Sequence, residues 1–345
     1  MVAGAVAPQA AVAVAFWRGK WQVQSAAADR RGPPSPGSEP VFDLASVSKP
    51  VLAAAAARLV ERGVLRWTTP IGQLLPEIAA TESAAASVEA LLSHRAGLRA
   101  HAPLYDTLRA GRAVRRSEAL QRAAASRQRT PAPDEAVYSD LGYLLLGAAL
   151  ERRLHLPLDV ILDQQVSTPL RLDLASARQW LARTRDFLPR VAPTENVAWR
   201  GGLLRGSVHD ENAWALAGHG ACGHAGLFGT AAGVARFGAA VLDALHGRSS
   251  WLSQESASLM TRPRRGGTLR AGFDGKAGPD SMAGRRAGPR TFGHLGFTGT
   301  SLWCDPDVGA VTVLLTNRVC PTREHVAIRR ARPLAHDALF AHVPR

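Results

Sequence analysis

Alternating apolar residues at both ends of the chain, a helical middle and Pro/Gly-marked joints between them predict an α+β fold. The expected architecture is an α/β sandwich: an antiparallel five-stranded sheet from the N- and C-terminal segments, flanked by helices, with an inserted all-α domain. Residues 11–17 and 20–27 alternate as two strands turning at Arg18-Gly19, a hairpin signal. Pro, Gly and Ser then punctuate residues 32–40. A helix is expected over 46–63, with Gly63 at its C′ position. Helical patterns follow at 87–94, 117–127, 141–153 and 158–166, and Thr230 reads as the N-cap of another reaching about residue 245. Strand patterns return at 292–297, 300–304 and 309–317, the last two joined by an Asp305-Pro306-Asp307 turn. An amphipathic helix over 323–342 carries Pro333, expected to kink it. Residues 262–290, rich in Gly and Arg, read as a solvated loop. We divide the chain into an α/β subdomain, 1–66 with 220–345, and a mainly helical subdomain, 67–219.

Composition bounds the function. Hydrophobic residues make up 46% and charged residues 20% of the 345, enough for a core and against disorder. The net charge of +14 first suggests nucleic acid. Only Lys20, Lys49 and Lys276 are lysines, however, and the arginines lie scattered among alanines without a recognition motif. A GC-rich coding bias explains that, so no nucleic-acid partner is expected. Cys222, Cys304 and Cys320 form no C-x-x-C pair, so neither a disulfide framework nor a cysteine metal site is expected. No apolar run has the length of a membrane span. The apolar start lacks a basic n-region, which makes the cytoplasm the expected compartment, or the periplasm given a longer start upstream.

Three patterns carry chemistry. Ser46-Val47-Ser48-Lys49 stands where a helix begins, and its i, i+3 spacing puts hydroxyl and amine on one face. A serine hydroxyl attacks only when a base takes its proton, and a neighbouring amine can be that base. The alternative is Ser46 as a plain N-cap with Lys49 in solvent. Tyr138-Ser139-Asp140 precedes the next helical pattern; its phenol could share a proton with Lys49, or be a core tyrosine before an Asp140 N-cap. Gly293-His294-Leu295-Gly296-Phe297-Thr298-Gly299-Thr300 lies on a late strand, whose glycines let a substrate backbone approach. His209, Asp210, Glu211 and His224 lack helical H-E-x-x-H spacing, so they are expected to form a hydrogen-bonded loop and no metal site.

In this order the three pieces resemble the serine β-lactamase-like, penicillin-recognising family, whose signatures are S-x-x-K, a Tyr-containing second motif and a third motif on a late strand. The class C branch, with its esterase and peptidase relatives, is the nearer one. Residues 91–98 (LLSHRAGL) and 223–231 (GHAGLFGTA) look like two further family segments. Residues 192–195, 208–213 and 293–301 look like a subgroup acting on cell-wall material, muropeptide amidases and D-alanyl-D-alanine carboxypeptidase-like proteins.

The resemblance implies a cofactor-free serine hydrolase forming an acyl-enzyme on amide or ester bonds of a small-molecule or peptide substrate. Catalysis would fall to Ser46, Lys49 and Tyr138, the oxyanion to the backbone N–H groups of Ser46 and Phe297, and substrate contact to Asp140, His294, Leu295 and Gly296. Three residues depart from the pattern. Asp140 replaces an expected Asn, exchanging an amide for an acceptor-only carboxylate that would raise the pKa of Lys49. His294 replaces a carboxylate-binding Lys and Leu295 removes the hydroxyl that would assist it, so selectivity for a free carboxylate should be weak. The alternatives are a class C-like carboxylesterase or weak β-lactamase, and a non-catalytic protein that binds peptidoglycan fragments or β-lactams.

Overall fold

Apolar alternation at the two ends of the sequence produces strands that complete one sheet together. A computed structural model describes residues 1–2, 5–30, 32, 39–127 and 135–344. Most of the loop expected at 32–40 lies outside these. The strands are β1 (Gln9–Trp17), β2 (Trp21–Asp29), β3 (Phe42–Asp43), β4 (Leu174–Ser176), β5 (Asn196–Val197), β6 (Gly202–Leu203), β7 (Leu227–Gly229), β8 (Asp274–Gly275), β9 (Phe292–Leu295), β10 (Ser301–Asp305) and β11 (Ala310–Thr316). The helices used below are α1 (Ser48–Glu61), α2 (Val88–Leu92), α3 (Arg116–Ala125), α4 (Asp140–Leu154), α5 (Glu211–Ala217), α6 (Ala231–Leu245) and α7 (Ile328–Ala341).

The main sheet runs β2-β1-β11-β10-β9-β8, antiparallel throughout. Ala13 pairs with Val313, and Val313 with Leu302, which fixes the register. Among the described residues the sheet has six strands where five were expected. The extra one is β8, two residues inside the presumed loop and too short to show a period. Side chains alternate between two helical layers. A Cβ on Gly238 of α6 would meet Leu302, Cys304 and Val311, whereas His336 of α7 bonds Ser301 and Thr312. Odd and even positions thus face different helices, giving three layers.

The remaining elements position the site. The helix expected from Ser46 begins as a 3₁₀ turn, Ala45–Val47, and becomes α1 only at Ser48. It ends as anticipated: Gly63 has φ +69°, and its N–H and that of Val64 bond the Val60 and Leu59 carbonyls. Residues 53–57 of α1, all alanine, are fully buried, as suits a helix packed on all sides. The inserted segment is not all-α: β4 joins β3 and β7 in a second sheet, and β5 pairs with β6. Thr230 caps α6 through Gly233 N–H at 3.0 Å. The helix anticipated from 323 starts at Ile328, with Pro333 inside it. Among the described residues no helix is long and apolar enough to cross a membrane.

Candidate active site

Ser46 projects from the 3₁₀ turn because the backbone before it is bent. Ala45 takes φ +47°, a left-handed conformation unusual for alanine, and Asp43 holds it there by accepting Ala45 N–H at 2.8 Å. The second Asp43 oxygen accepts His209 N–H at 2.8 Å. Ser46 caps nothing, and Lys49 is far from solvated: its side chain is 0% exposed. Lys49 Nζ lies 2.9 Å from Ser46 Oγ, 2.6 Å from Asp140 Oδ1 and 3.3 Å from the His224 carbonyl. The sequence pairing of Ser46 with Lys49 is thus a hydrogen bond.

Asp140 reaches Lys49 because it does not cap α4. Ser139 does, accepting Gly142 N–H, which leaves Asp140 in the first turn with its side chain 21% exposed. Burial pulls the Lys49 amine down, but Asp140 and then Tyr138 hold it above its ordinary value. Tyr138 lies over Lys49 at 4.8 Å from the ring centroid and stacks on His94 at 4.7 Å. Burial, with Asp140 nearby, raises its phenol, so Tyr138 holds its proton at neutral pH. His94 fixes this segment in two ways. Its Nδ1 accepts Ser139 N–H at 2.9 Å, and its carbonyl accepts Val137 N–H at 3.0 Å. An accepting Nδ1 requires a neutral ring, and burial pushes the His94 pKa well down.

The third motif departs from expectation at its end. β9 stops at Leu295, and Phe297 stands in a turn closed by Gly296 N–H to the Thr300 carbonyl at 2.7 Å. Thr298 Oγ1 donates to the Asp43 carbonyl at 2.7 Å and Thr300 Oγ1 to the Leu44 carbonyl at 2.9 Å. The turn is therefore bolted to the two residues that precede the Ser46 turn. A Cβ on Gly296 would overlap Thr300 Oγ1 and crowd the Leu44 carbonyl. Arg318 donates to the Phe297 carbonyl at 2.9 Å and places its guanidinium 4.6 Å from the Phe297 ring centroid. Arg332 bonds the Gly296 and Thr300 carbonyls. His294 also differs from a partly charged residue: burial, with Lys49 nearby, lowers it to about 3. Its Nδ1 faces the Leu295 carbonyl at 2.8 Å, so the proton sits there and Nε2 is an acceptor.

His209, Asp210, Glu211 and His224 are each taken up in buried or half-buried ion pairs. His224 Nε2 meets Asp210 Oδ1 at 2.8 Å; burial disfavours both charges, yet each partner overrides it, raising the imidazole and lowering the carboxyl. His209 Nε2 meets Glu195 Oε2 at 3.0 Å, and Arg323 bridges Glu195 to Glu211. Against burial, His209 and Arg323 bring the Glu195 carboxyl down to about 2. Sequence reading did not assign Asp43, His94, Arg318 or Arg332 to the site. A separate cavity of about 650 Å³ contains Glu77, Arg116, Glu151, Arg152, Asp159 and Arg178, charges that pair with one another, and none of the motif residues.

A serine on a helix-leading turn, an amine one turn on and a phenol from a second element, beside an antiparallel sheet, define the serine-hydrolase class of penicillin-binding-protein-like folds. The chain belongs to the beta-lactamase family, whose model matches residues 2–337. It is 34% identical over 200 residues to the N-acetylmuramyl-L-alanine amidase of Bacillus subtilis (strain 168), covering 53% of this chain and 44% of that protein. It is 31% identical over 198 residues to a putative D-alanyl-D-alanine carboxypeptidase of Escherichia coli (strain K12), covering 53% and 45%. The matches thus span less than half the length of these relatives. Among solved structures, EstCE1, a hydrolase with promiscuous acyltransferase activity, superposes with TM-score 0.73 at 22% identity over 98% of this chain and 95% of that one. A penicillin-binding protein homolog from Caulobacter crescentus gives TM-score 0.67 at 20% identity over 96% and 92%. Likeness at these identities is one of fold.

Proposed function

We propose that this chain hydrolyses amide or ester bonds through an acyl-enzyme on Ser46, with cell-wall-derived peptides as substrates. The observation that carries the reading is the 2.9 Å contact between Ser46 Oγ and the buried Lys49 amine. Lys49 in its neutral amine form, helped by Tyr138, takes the Ser46 proton as Oγ attacks the carbonyl. The oxyanion then lies between the backbone N–H groups of Ser46 and Phe297, held in register by the Thr298 and Thr300 bonds. Tyr138, a phenol that keeps its proton, delivers it to the leaving group, and water admitted by the same groups releases the acid. Asp140, His294, Leu295 and Gly296 line the substrate side.

Within this class the site supports an internal amide or an ester over a C-terminal residue. A carboxypeptidase needs a cation for the terminal carboxylate, whereas His294 presents a neutral ring and Asp140 a carboxylate. The amidase named among the relatives fits this preference. A second reading has its own observation: the Lys49–Asp140 pair at 2.6 Å makes a resting ammonium, a poor base, as in a protein that binds without turnover.

Intact-mass measurement after treatment with a fluorophosphonate separates the two. One adduct on the wild type, absent in Ser46→Ala with melting unchanged within about 1 kcal/mol, is expected. A folded wild type that takes no adduct favours the binding protein. Release of peptide from an N-acetylmuramyl-L-alanyl peptide, measured against D-alanine from a D-alanyl-D-alanine peptide, then tests the substrate.

A further inference from the structure

We infer that Arg332 is a positioning residue for the oxyanion, aiming and polarising the Phe297 N–H through the Gly296 carbonyl. This rests on the serine-hydrolase reading above and on its placement of the oxyanion. The Gly296 carbonyl and the Phe297 N–H are the two ends of one planar peptide. Arg332 Nη2, carried by α7, donates to that carbonyl at 3.3 Å and to the Thr300 carbonyl at 3.2 Å. A cation at the oxygen end and an anion at the hydrogen end both favour the same orientation of the peptide dipole. Hydrogen bonds joined end to end in this way strengthen one another.

Closing the turn does not require Arg332. Both of its acceptors are paired without it: the Gly296 carbonyl accepts Gly299 N–H at 3.1 Å, and the Thr300 carbonyl accepts Gly296 N–H at 2.7 Å. The Arg332 side chain is buried, and its Nε has no hydrogen-bond partner. Among the described residues no carboxylate offsets its charge, and the charged group that bears on it is Arg318, which repels it. Burial and then Arg318 lower the guanidinium to about 10, so it remains a cation at neutral pH. A buried cation without a counter-charge costs stability. The oxyanion is the anion that forms at the other end of the peptide it touches.

The neighbouring groups do not share this role. Arg318 donates to the Phe297 carbonyl, which belongs to the next peptide along, whose N–H is that of Thr298. Glu195 and Glu324 also act on the Arg318 charge. Arg323 is taken up by Glu195 and Glu211. His336, one turn after Arg332 on α7, uses its two ring nitrogens on Ser301 and Thr312 and is kept neutral by burial. Arg332 is thus the uncompensated charge on the one peptide that carries the oxyanion donor.

The test is fluorophosphonate labelling of the wild type, Arg332→Gln and Arg332→Lys, read as the rate at saturating probe, the half-saturating concentration and the melting temperature. As Ser46 attacks the probe, the phosphoryl oxygen gains negative charge and stands in for the oxyanion. Gln keeps a donor and loses the charge, whereas Lys keeps both. Arg332→Gln is expected to lower the saturating rate about ten-fold or more, with half-saturation within about two-fold and melting no lower than wild type. Arg332→Lys is expected to label within about three-fold of the wild-type rate. Three results overturn the inference. A Gln variant that labels at the wild-type rate shows that the charge does not act. A Lys variant as slow as the Gln variant shows that restoring a cation does not help. A Gln variant that melts well below the wild type, or does not fold, makes Arg332 a structural brace. A folded wild type that takes no label counts against the serine-hydrolase reading itself and against this inference with it, a distinct failure.

Discussion

Ala45 adopts a backbone conformation that costs an alanine of order 1 kcal/mol, and the residue that offsets it is Asp43. Each Asp43 oxygen accepts a backbone N–H, one from Ala45 beside Ser46 and one from His209. Asp43→Asn replaces one acceptor with a donor facing a donor. It should cost about 1–3 kcal/mol and slow Ser46 labelling, measured by denaturant melting and by adduct formation. An Asn variant of unchanged stability and rate would show that the bend is held elsewhere. At this scale the sequence was legible where helical geometry acts alone: an i, i+3 spacing already places Ser46 beside Lys49. It left Asp140 open between a carboxylate beside Lys49 and a cap on its own helix. Whether Asp140 caps α4 or crosses to the lysine depends on which residue first turns helical, and Ser139 takes the cap.

The turn between β9 and β10 shows what an element owes to distant residues. Glycine richness marks it in the sequence, but β9 was expected to run through Phe297 and instead stops at Leu295. What ends it are the threonine bonds to Asp43 and Leu44, partners 255 and 256 positions away that no local pattern encodes. Thr300→Val keeps the shape and removes the donor, leaving the Leu44 carbonyl with its Val47 N–H bond alone. A loss of about 0.5–1.5 kcal/mol is expected, together with slower labelling that Thr300→Ser restores. Should Thr300→Val label at the wild-type rate, the bond has no bearing on the position of Phe297. The helices α1, α4 and α6 were readable to within a few residues because caps and periodicity are local signals. The two-residue β8 and the short β4, β5 and β6 were not, since pairing alone makes them strands.

Among the described residues His94, His294 and His336 are buried as neutral imidazoles, and they contribute to the response of the whole molecule to acid. His294 and His336 are lowered to about 3 by burial, and His94 is pushed well down by the same cause. Once unfolded, each takes a proton near the ordinary value of 6.5, so the unfolded chain binds more protons as pH falls below it. Stability should therefore decline from about pH 6.5 toward about pH 3, each histidine adding up to about 1.4 kcal/mol per pH unit. His224 has the opposite sign: its raised value keeps its contribution intact below the ordinary 6.5, to be lost only as pH rises through the folded value. Urea midpoints across this range test the decline, and His336→Gln should flatten it; a slope unchanged in that variant would assign the acid sensitivity to other groups. The pairing of β1 with β11 has a consequence in time. A growing chain makes its first hairpin and its Ser46 helix long before β11 can be enclosed between β1 and β10, and such distant closures are the slow part of folding. An unfinished chain holds Ser46 beside Lys49 without the turn that brings Phe297 to them. If the proposed roles hold, reactivity and completion arrive together.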